Sequence, residues 1–260
     1  MGGAVESAFS VEGSGPPLFL IHGVGASRRS WDGLIPHLRS SFRCISYDLR
    51  GHGRTPKRPP PYALDDFVED LEALRRELGI EQAHFAGHSL GGMIAPAYAH
   101  RYGAHVLSLG LFSTAAFRRD EDRARLRQFV ATMRADGIGA VLESLRDRWF
   151  TPEYAARHPD AIERRLQQVR AMDPEVYINT FAVYVESETS PWLPGLHQPT
   201  LVLTGENDVS CGPRLNRQMA AALPHSELMI LPGLRHSILM EAPDQVAAPM
   251  LAFLRRRSAA

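Results

Sequence analysis

The chain has 260 residues, 44% hydrophobic and 22% charged, enough for one large domain with a sizeable core. Its 29 Lys and Arg balance 29 Asp and Glu, which argues against a nucleic-acid or membrane-surface partner. Two distant cysteines, Cys44 and Cys211, make neither a disulfide framework nor a CxxC site, so both are expected as reduced thiols. No apolar run reaches spanning length. The start MGGAVESAFSVEG lacks the basic and hydrophobic stretches of a secretory signal, so a cytoplasmic protein is expected. Glu6 stands where a myristoylation signal needs Ser or Thr.

In chain order, LFLIHG (18–23) and FRCISYD (42–48) are strand-length apolar runs bounded by turn residues. Residues 62–78 place Leu64, Phe67, Leu71, Leu74 and Leu78 at helical spacing. AHFAGH then reads as a strand, GMIAPAYAHRY as a helix and VLSLGLF as another strand. Continuous apolar strands alternating with helices predict a mostly parallel, doubly wound α/β sheet covered on both faces. From residue 115 the pattern changes to Arg- and Glu-rich helical segments, such as DRARLRQFVATMRADG and AIERRLQQVRAM, with no convincing strand up to 193. After the Pro-marked SPWLPGLHQP the alternation returns: TLVLTG, RLNRQMAAAL, ELMILPG and a last helix ending in LAFLRRR. The expected organisation is one core, residues 1–114 and 194–260, with a helical cap inserted at 115–193.

Gly87-His88-Ser89-Leu90-Gly91 fits G-x-S-x-G between a predicted strand and a predicted helix. This spacing suits a strained turn, where small residues on both sides let a serine stand at the carboxyl end of the sheet. Serine needs a base. Of eleven histidines, His236 lies in a loop after the last strand, free to reach Ser89, whereas His84 and His88 lie on or beside a strand. His52 reads as a turn residue, and His22 as a brace for the loop it begins or as a pocket residue. Asp208, just after TLVLTG, is the candidate acid that orients His236; Glu206 is its rival. The order Ser, Asp, His and the HGVG loop then predict an oxyanion hole from the backbone N–H groups of Val24 and Leu90. Trp149 and Phe150 are candidate pocket residues, with core packing as the alternative. Cys211 has no assigned His partner and is expected to be a packed residue, and no metal or other cofactor is needed for this chemistry.

LIHGVG, YDLRGHGRT, GHSLGGM, LTGENDVS and LPGLRHSILMEAPDQV resemble the α/β-hydrolase superfamily over essentially the whole chain. Within it, DRWFTPEYAARHPDAIERRLQQVRAMDPEVYINTF is most similar to the cap of 3-oxoadipate enol-lactonases. The resemblance implies a serine hydrolase of small-molecule esters or enol-lactones, with Ser89, Asp208 and His236 as the triad. An enol-lactone carries carboxylate, so a cation is expected in the pocket, and the cap offers Arg118, Arg119, Arg146 and Arg148. The segment before LFLIHG is short and leaves room for one strand, so the first strand of the family's usual sheet is expected to be missing. Cleavage of C–C bonds in diketones by the same triad, and a non-catalytic binding protein on this fold, are the competing readings. The sequence is compatible with a homo-oligomer.

Overall fold

The structure is a computed structural model that describes residues 6–258; the MGG start lies outside the described residues. Seven strands form one sheet: β1 (Phe9–Glu12), β2 (Pro17–Ile21), β3 (Arg43–Tyr47), β4 (Ala83–His88), β5 (Val106–Phe112), β6 (Thr200–Gly205) and β7 (Ser226–Leu231). Their order is β1-β3-β2-β4-β5-β6-β7, with β1 antiparallel to β3 and every other pair parallel.

The two-residue period of a strand explains why these segments are apolar throughout. In β2, Leu18 and Leu20 join one cluster with Trp31, Leu38, Val246 and Phe253. Phe19 and Ile21 point the other way, among Phe67, Leu71, Met93 and Tyr98. Phe19 stacks on Phe85 of the adjoining strand at 5.1 Å, extending the buried ladder across the register. Each such large apolar side chain stabilises the fold by about 1.5–3 kcal/mol.

Helices α1 (Ile35–Leu38), α2 (Leu64–Glu77) and α3 (Gly91–Tyr102) belong to the first half. Between β5 and β6 come α4 (Asp120–Asp136), α5 (Gly139–Trp149), α6 (Pro152–Arg157), α7 (Pro159–Arg170) and α8 (Pro174–Glu186). After β6 follow α9 (Pro213–Ala222), α10 (Ile238–Glu241) and α11 (Pro243–Ser258). α2 packs on α3, which lies against β4 and β5, whereas α11 covers the opposite face with α1. The inter-strand helices form their own layer, α4 against α5 and α8, and α5 against α7. Among the described residues, no helix is long and apolar enough to cross a membrane.

A buried ion pair and a half-buried one fasten the loops at the carboxyl end of the sheet. Arg50 donates to both Asp70 oxygens at 2.7 and 2.9 Å, tying the turn after β3 to α2. Asp48, at the end of β3, accepts from the Arg28 guanidinium and from the Arg28 N–H at 2.8 Å. Both pairs reinforce the rim on which the candidate site stands.

Candidate active site

Ser89 sits between β4 and α3 with φ of 56°, a left-handed conformation that is strained for a non-glycine residue. Its backbone is gripped by β5: the Ser89 N–H donates to the Phe112 carbonyl at 2.9 Å, and Thr114 Oγ1 donates to the Ser89 carbonyl at 2.7 Å. The flanking glycines are steric necessities. A Cβ on Gly87 would collide with the Gly91 carbonyl, and one on Gly91 with the Ile21 carbonyl. The spacing predicted from G-x-S-x-G is therefore required by contact with backbone that cannot move.

His236 follows β7. Its Nδ1 lies 2.8 Å from Asp208 Oδ2, and Asp208 Oδ1 accepts the N–H groups of Ser210 and Cys211, each at 2.8 Å. Burial opposes charge on both groups, but each overcomes it in the other: the carboxyl is held below its ordinary value and the imidazole is raised. Glu206 faces elsewhere; it is exposed and accepts the Gly233 N–H at 3.0 Å. His88 Nε2 donates to the His236 carbonyl at 2.9 Å, and burial lowers its own pKa to about 3. His88 thus steadies the loop as a neutral ring.

The His236 loop is also tied to the helical layer. Arg235 donates to the carbonyls of Asp147 and Phe150, and the Ser237 N–H donates to the Trp149 carbonyl at 2.9 Å. Glu241 accepts from the Thr151 hydroxyl at 2.6 Å and its N–H at 3.1 Å.

The HGVG turn passes directly over the serine: a Cβ on Gly23 would stand 2.9 Å from Ser89 Cβ. Two histidines brace this turn from the core. His22 Nδ1 donates to the Gly23 carbonyl at 2.8 Å while its Nε2 accepts the Leu49 N–H at 3.0 Å. His52 Nδ1 donates to the Arg50 carbonyl at 2.9 Å while its Nε2 accepts the Gly25 N–H at 3.2 Å. Accepting a backbone N–H requires an unprotonated Nε2, so the hydrogen bonds fix both tautomers. Burial lowers both pKa values, to about 4 for His52 and well below the ordinary value for His22. Among the described residues, no protein acceptor meets the backbone N–H of Val24 or of Leu90, which caps the start of α3.

Ser89, His236 and Val24 open onto one cavity of about 420 Å³ between the sheet and the helical layer. Trp149, Tyr177, Phe181 and Tyr184 form much of its apolar wall. Four arginines line it, Arg29, Arg148, Arg164 and Arg165, and none of its described lining residues is acidic. Of the four cap arginines considered from sequence, Arg148 reaches the cavity. Arg118 is buried behind it, donating to the Tyr184 carbonyl at 2.8 Å, and Arg119 and Arg146 lie off the lining. Two expected pocket residues are corrected. His22 does not reach the cavity, because both ring nitrogens are committed to backbone in the core. Phe150 turns away as well: α5 ends at Trp149, and Phe150 takes extended backbone (φ −120°, ψ 147°) that stacks it on Tyr154 at 5.9 Å. Among the described residues, the one cluster with metal-ligand spacing is Asp208, Cys211 and His236, with ligand atoms within 4.8 Å. Its carboxylate and Nδ1 are already engaged with each other.

A serine on a strained strand-to-helix turn, sharing one cavity with the histidine of a buried Asp–His pair, on a mostly parallel sheet, defines the fold class, and residues 16–243 match the alpha/beta hydrolase fold family. The chain belongs to this family and is a hydrolase. It is 29% identical over 98% of its length to the dihydrolipoyllysine-residue acetyltransferase component of the acetoin cleaving system of Pseudomonas putida, covering 68% of that protein. The enol-lactonase of Burkholderia xenovorans superposes with a TM-score of 0.90 at 25% identity, over 96% of this chain and 97% of that one. A thermophilic esterase from Thermogutta terrifontis, solved with malate bound, superposes with a TM-score of 0.89 at 30% identity, over 98% of this chain and 94% of that one.

Proposed function

We propose that this hydrolase cleaves a small carboxylic ester or lactone that carries a negative charge, through an acyl-enzyme on Ser89. The observation that carries the reading is the buried Asp208–His236 hydrogen bond, 2.8 Å long, opening onto the same cavity as the strained Ser89. His236 Nε2 takes the Ser89 proton as Oγ attacks the carbonyl carbon, and Asp208 stabilises the imidazolium so formed. The tetrahedral oxyanion is held by the free N–H groups of Val24 and Leu90, aided by the N-terminal end of α3. Collapse breaks the acyl–oxygen bond and His236 returns the proton to the departing alcohol or enol. Water, deprotonated by His236, then attacks the acyl-enzyme and releases the acid and free Ser89.

Helices α4–α8 act as the cap that closes the cavity and selects the substrate. Four arginines facing no lining carboxylate favour an anionic substrate, and the likeness to an enol-lactonase and to an esterase supports the bond type. The test compares wild type with Ser89→Ala against p-nitrophenyl acetate, carboxylate-bearing esters and lactones, together with labelling by a fluorophosphonate probe. Wild type is expected to hydrolyse and to be labelled at Ser89, and Ser89→Ala to do neither while melting as a folded protein. Hydrolysis retained by Ser89→Ala would overturn the mechanism.

A further inference from the structure

Among the cavity cations, Arg165 is bound differently from the rest. It projects from α7, half-buried, and donates from Nη1 to the Gly25 carbonyl at 2.6 Å and from Nη2 to the Val24 carbonyl at 3.3 Å. Its guanidinium lies 4.7 Å from the centre of the Trp149 ring. No carboxylate is paired with it among the described residues, and burial lowers its pKa to about 10. A partly desolvated cation whose hydrogen bonds go to the turn beside Ser89 holds that turn as well as lining a pocket wall.

We infer that Arg165 is a positioning residue for the oxyanion hole, so that the helical cap, and not the sheet alone, completes the catalytic turn. The inference rests on the reading of Val24 as an oxyanion donor. The Val24 N–H lies in the peptide plane before the Val24 Cα, and its aim also depends on the plane after that Cα. The plane before it is held through the Gly23 carbonyl by His22. The plane after it is held at one end by His52, which accepts the Gly25 N–H, and at the other by Arg165 on the Val24 carbonyl. His52 reaches the turn from the core and Arg165 from the cap, so removing either leaves the plane gripped on one side. A hydrogen-bond donor misplaced by a fraction of an ångström loses much of its worth to an oxyanion.

The same cap contact reaches the other half of the site. The ring of Trp149 lies against Arg165, and the Trp149 carbonyl accepts the Ser237 N–H next to His236. The Arg165–Trp149 pair therefore spans from the oxyanion turn to the base loop, and cap placement sets both together.

The experiment uses Arg165→Gln and Arg165→Lys on the full chain with a neutral ester, p-nitrophenyl acetate, so that loss of charge recognition does not enter, and with a carboxylate-bearing ester beside it as the control for charge recognition. We expect kcat to fall roughly 10–100-fold in Arg165→Gln, below the 10²–10³ seen when a donor is deleted outright, with KM within about threefold. Arg165→Lys, which keeps the charge but lacks the planar fork whose two terminal nitrogens reach the two carbonyls, should recover only part. Phenylboronic acid, whose adduct with Ser89 places an oxygen in the hole, should bind more weakly by a similar factor, a readout that a purely packing role would not move. If both variants keep kcat and boronate affinity within twofold, the inference is overturned. It is equally overturned if the only change is a higher KM for carboxylate-bearing esters, since Arg165 would then be a substrate anchor. A wild type that neither hydrolyses esters nor reacts with a fluorophosphonate overturns the serine mechanism itself, and is distinguished from these outcomes by the wild-type measurement alone. Should Arg165→Gln fail to fold, Arg165→Lys and the boronate titration carry the test.

Discussion

On the sheet side of the cavity, Ser89, His236 and the Gly23–Gly25 turn are each held by hydrogen bonds to backbone or by neutral histidines whose tautomers are fixed. On the helical side, the groups are long or aromatic: Arg148 lies over the Phe129 ring at 4.9 Å, Arg164 is exposed, and Tyr177 and Phe181 stack on each other. The first wall transmits the rigidity of a sheet buried on both faces. The second depends on side chains that can be exchanged without disturbing the strands. With the proposed chemistry on the first wall and the proposed selectivity on the second, the substrate could change while the reaction does not. Arg165 joins the two walls beside Ser89, as Arg235 and Ser237 join them beside His236.

The largest effect tests the sheet wall. Asp208→Asn leaves the shape and removes the charge that raises the His236 pKa, so burial, which lowers it, prevails. Turnover is expected to fall roughly 10⁴-fold. Because the base works deprotonated, the acidic limb of the kcat/KM profile should also move to lower pH. A pH–rate profile with an unmoved limb would separate Asp208 from His236 function.

His52→Ala is expected to cost less. It deletes the acceptor for the Gly25 N–H and leaves that donor buried, which costs about 1–3 kcal/mol of stability at pH 7.5. The loosened turn should lose about 10-fold in kcat. The folded-state pKa of His52, about 4, lies below the ~6.5 of a free imidazole. Its neutral form therefore stabilises the fold fully above about pH 6.5, and that contribution is lost as pH falls toward 4. Thermal melts between pH 7.5 and 4.5 should show a shallower acid slope in His52→Ala than in wild type. A steeper slope would mean that His52 is protonated in the fold.

How far the sequence carries depends on whether a role leaves a local trace. Ser89 was legible because close backbone contacts demand Gly87 and Gly91 at fixed spacing. The strands were legible because both sheet faces are buried, which forces continuous apolar runs. His52 reads as a turn residue, and nothing nearby in sequence announces that its ring holds Gly25, a partner 27 positions away. Trp149 and Phe150 look equivalent as neighbours, yet the end of α5 between them sends one to the cavity and the other away. Arg165 did leave a trace. Ile162, Leu166 and Val169 form the buried stripe of α7, and Arg165 occupies the vacant i+3 place in that stripe, where a cation is expected only when something polar meets it.

The smallest effect tests the helical wall. Arg148 and Arg164 line the cavity without holding the turn, so Arg148→Gln and Arg164→Gln should leave kcat for p-nitrophenyl acetate within twofold. Against an ester that carries a carboxylate, each should raise KM by about 3–10-fold, since loss of one partly solvated cation is worth on the order of 1 kcal/mol. Raising ionic strength from 0.05 to about 0.5 M should narrow the gap between variants and wild type, because screening weakens a solvated charge pair more than a buried one. Equal losses with neutral and anionic esters would show that these arginines act on the chemistry. The division between the two walls would then fall, and the anionic substrate with it, while Ser89, Asp208 and His236 would keep their roles.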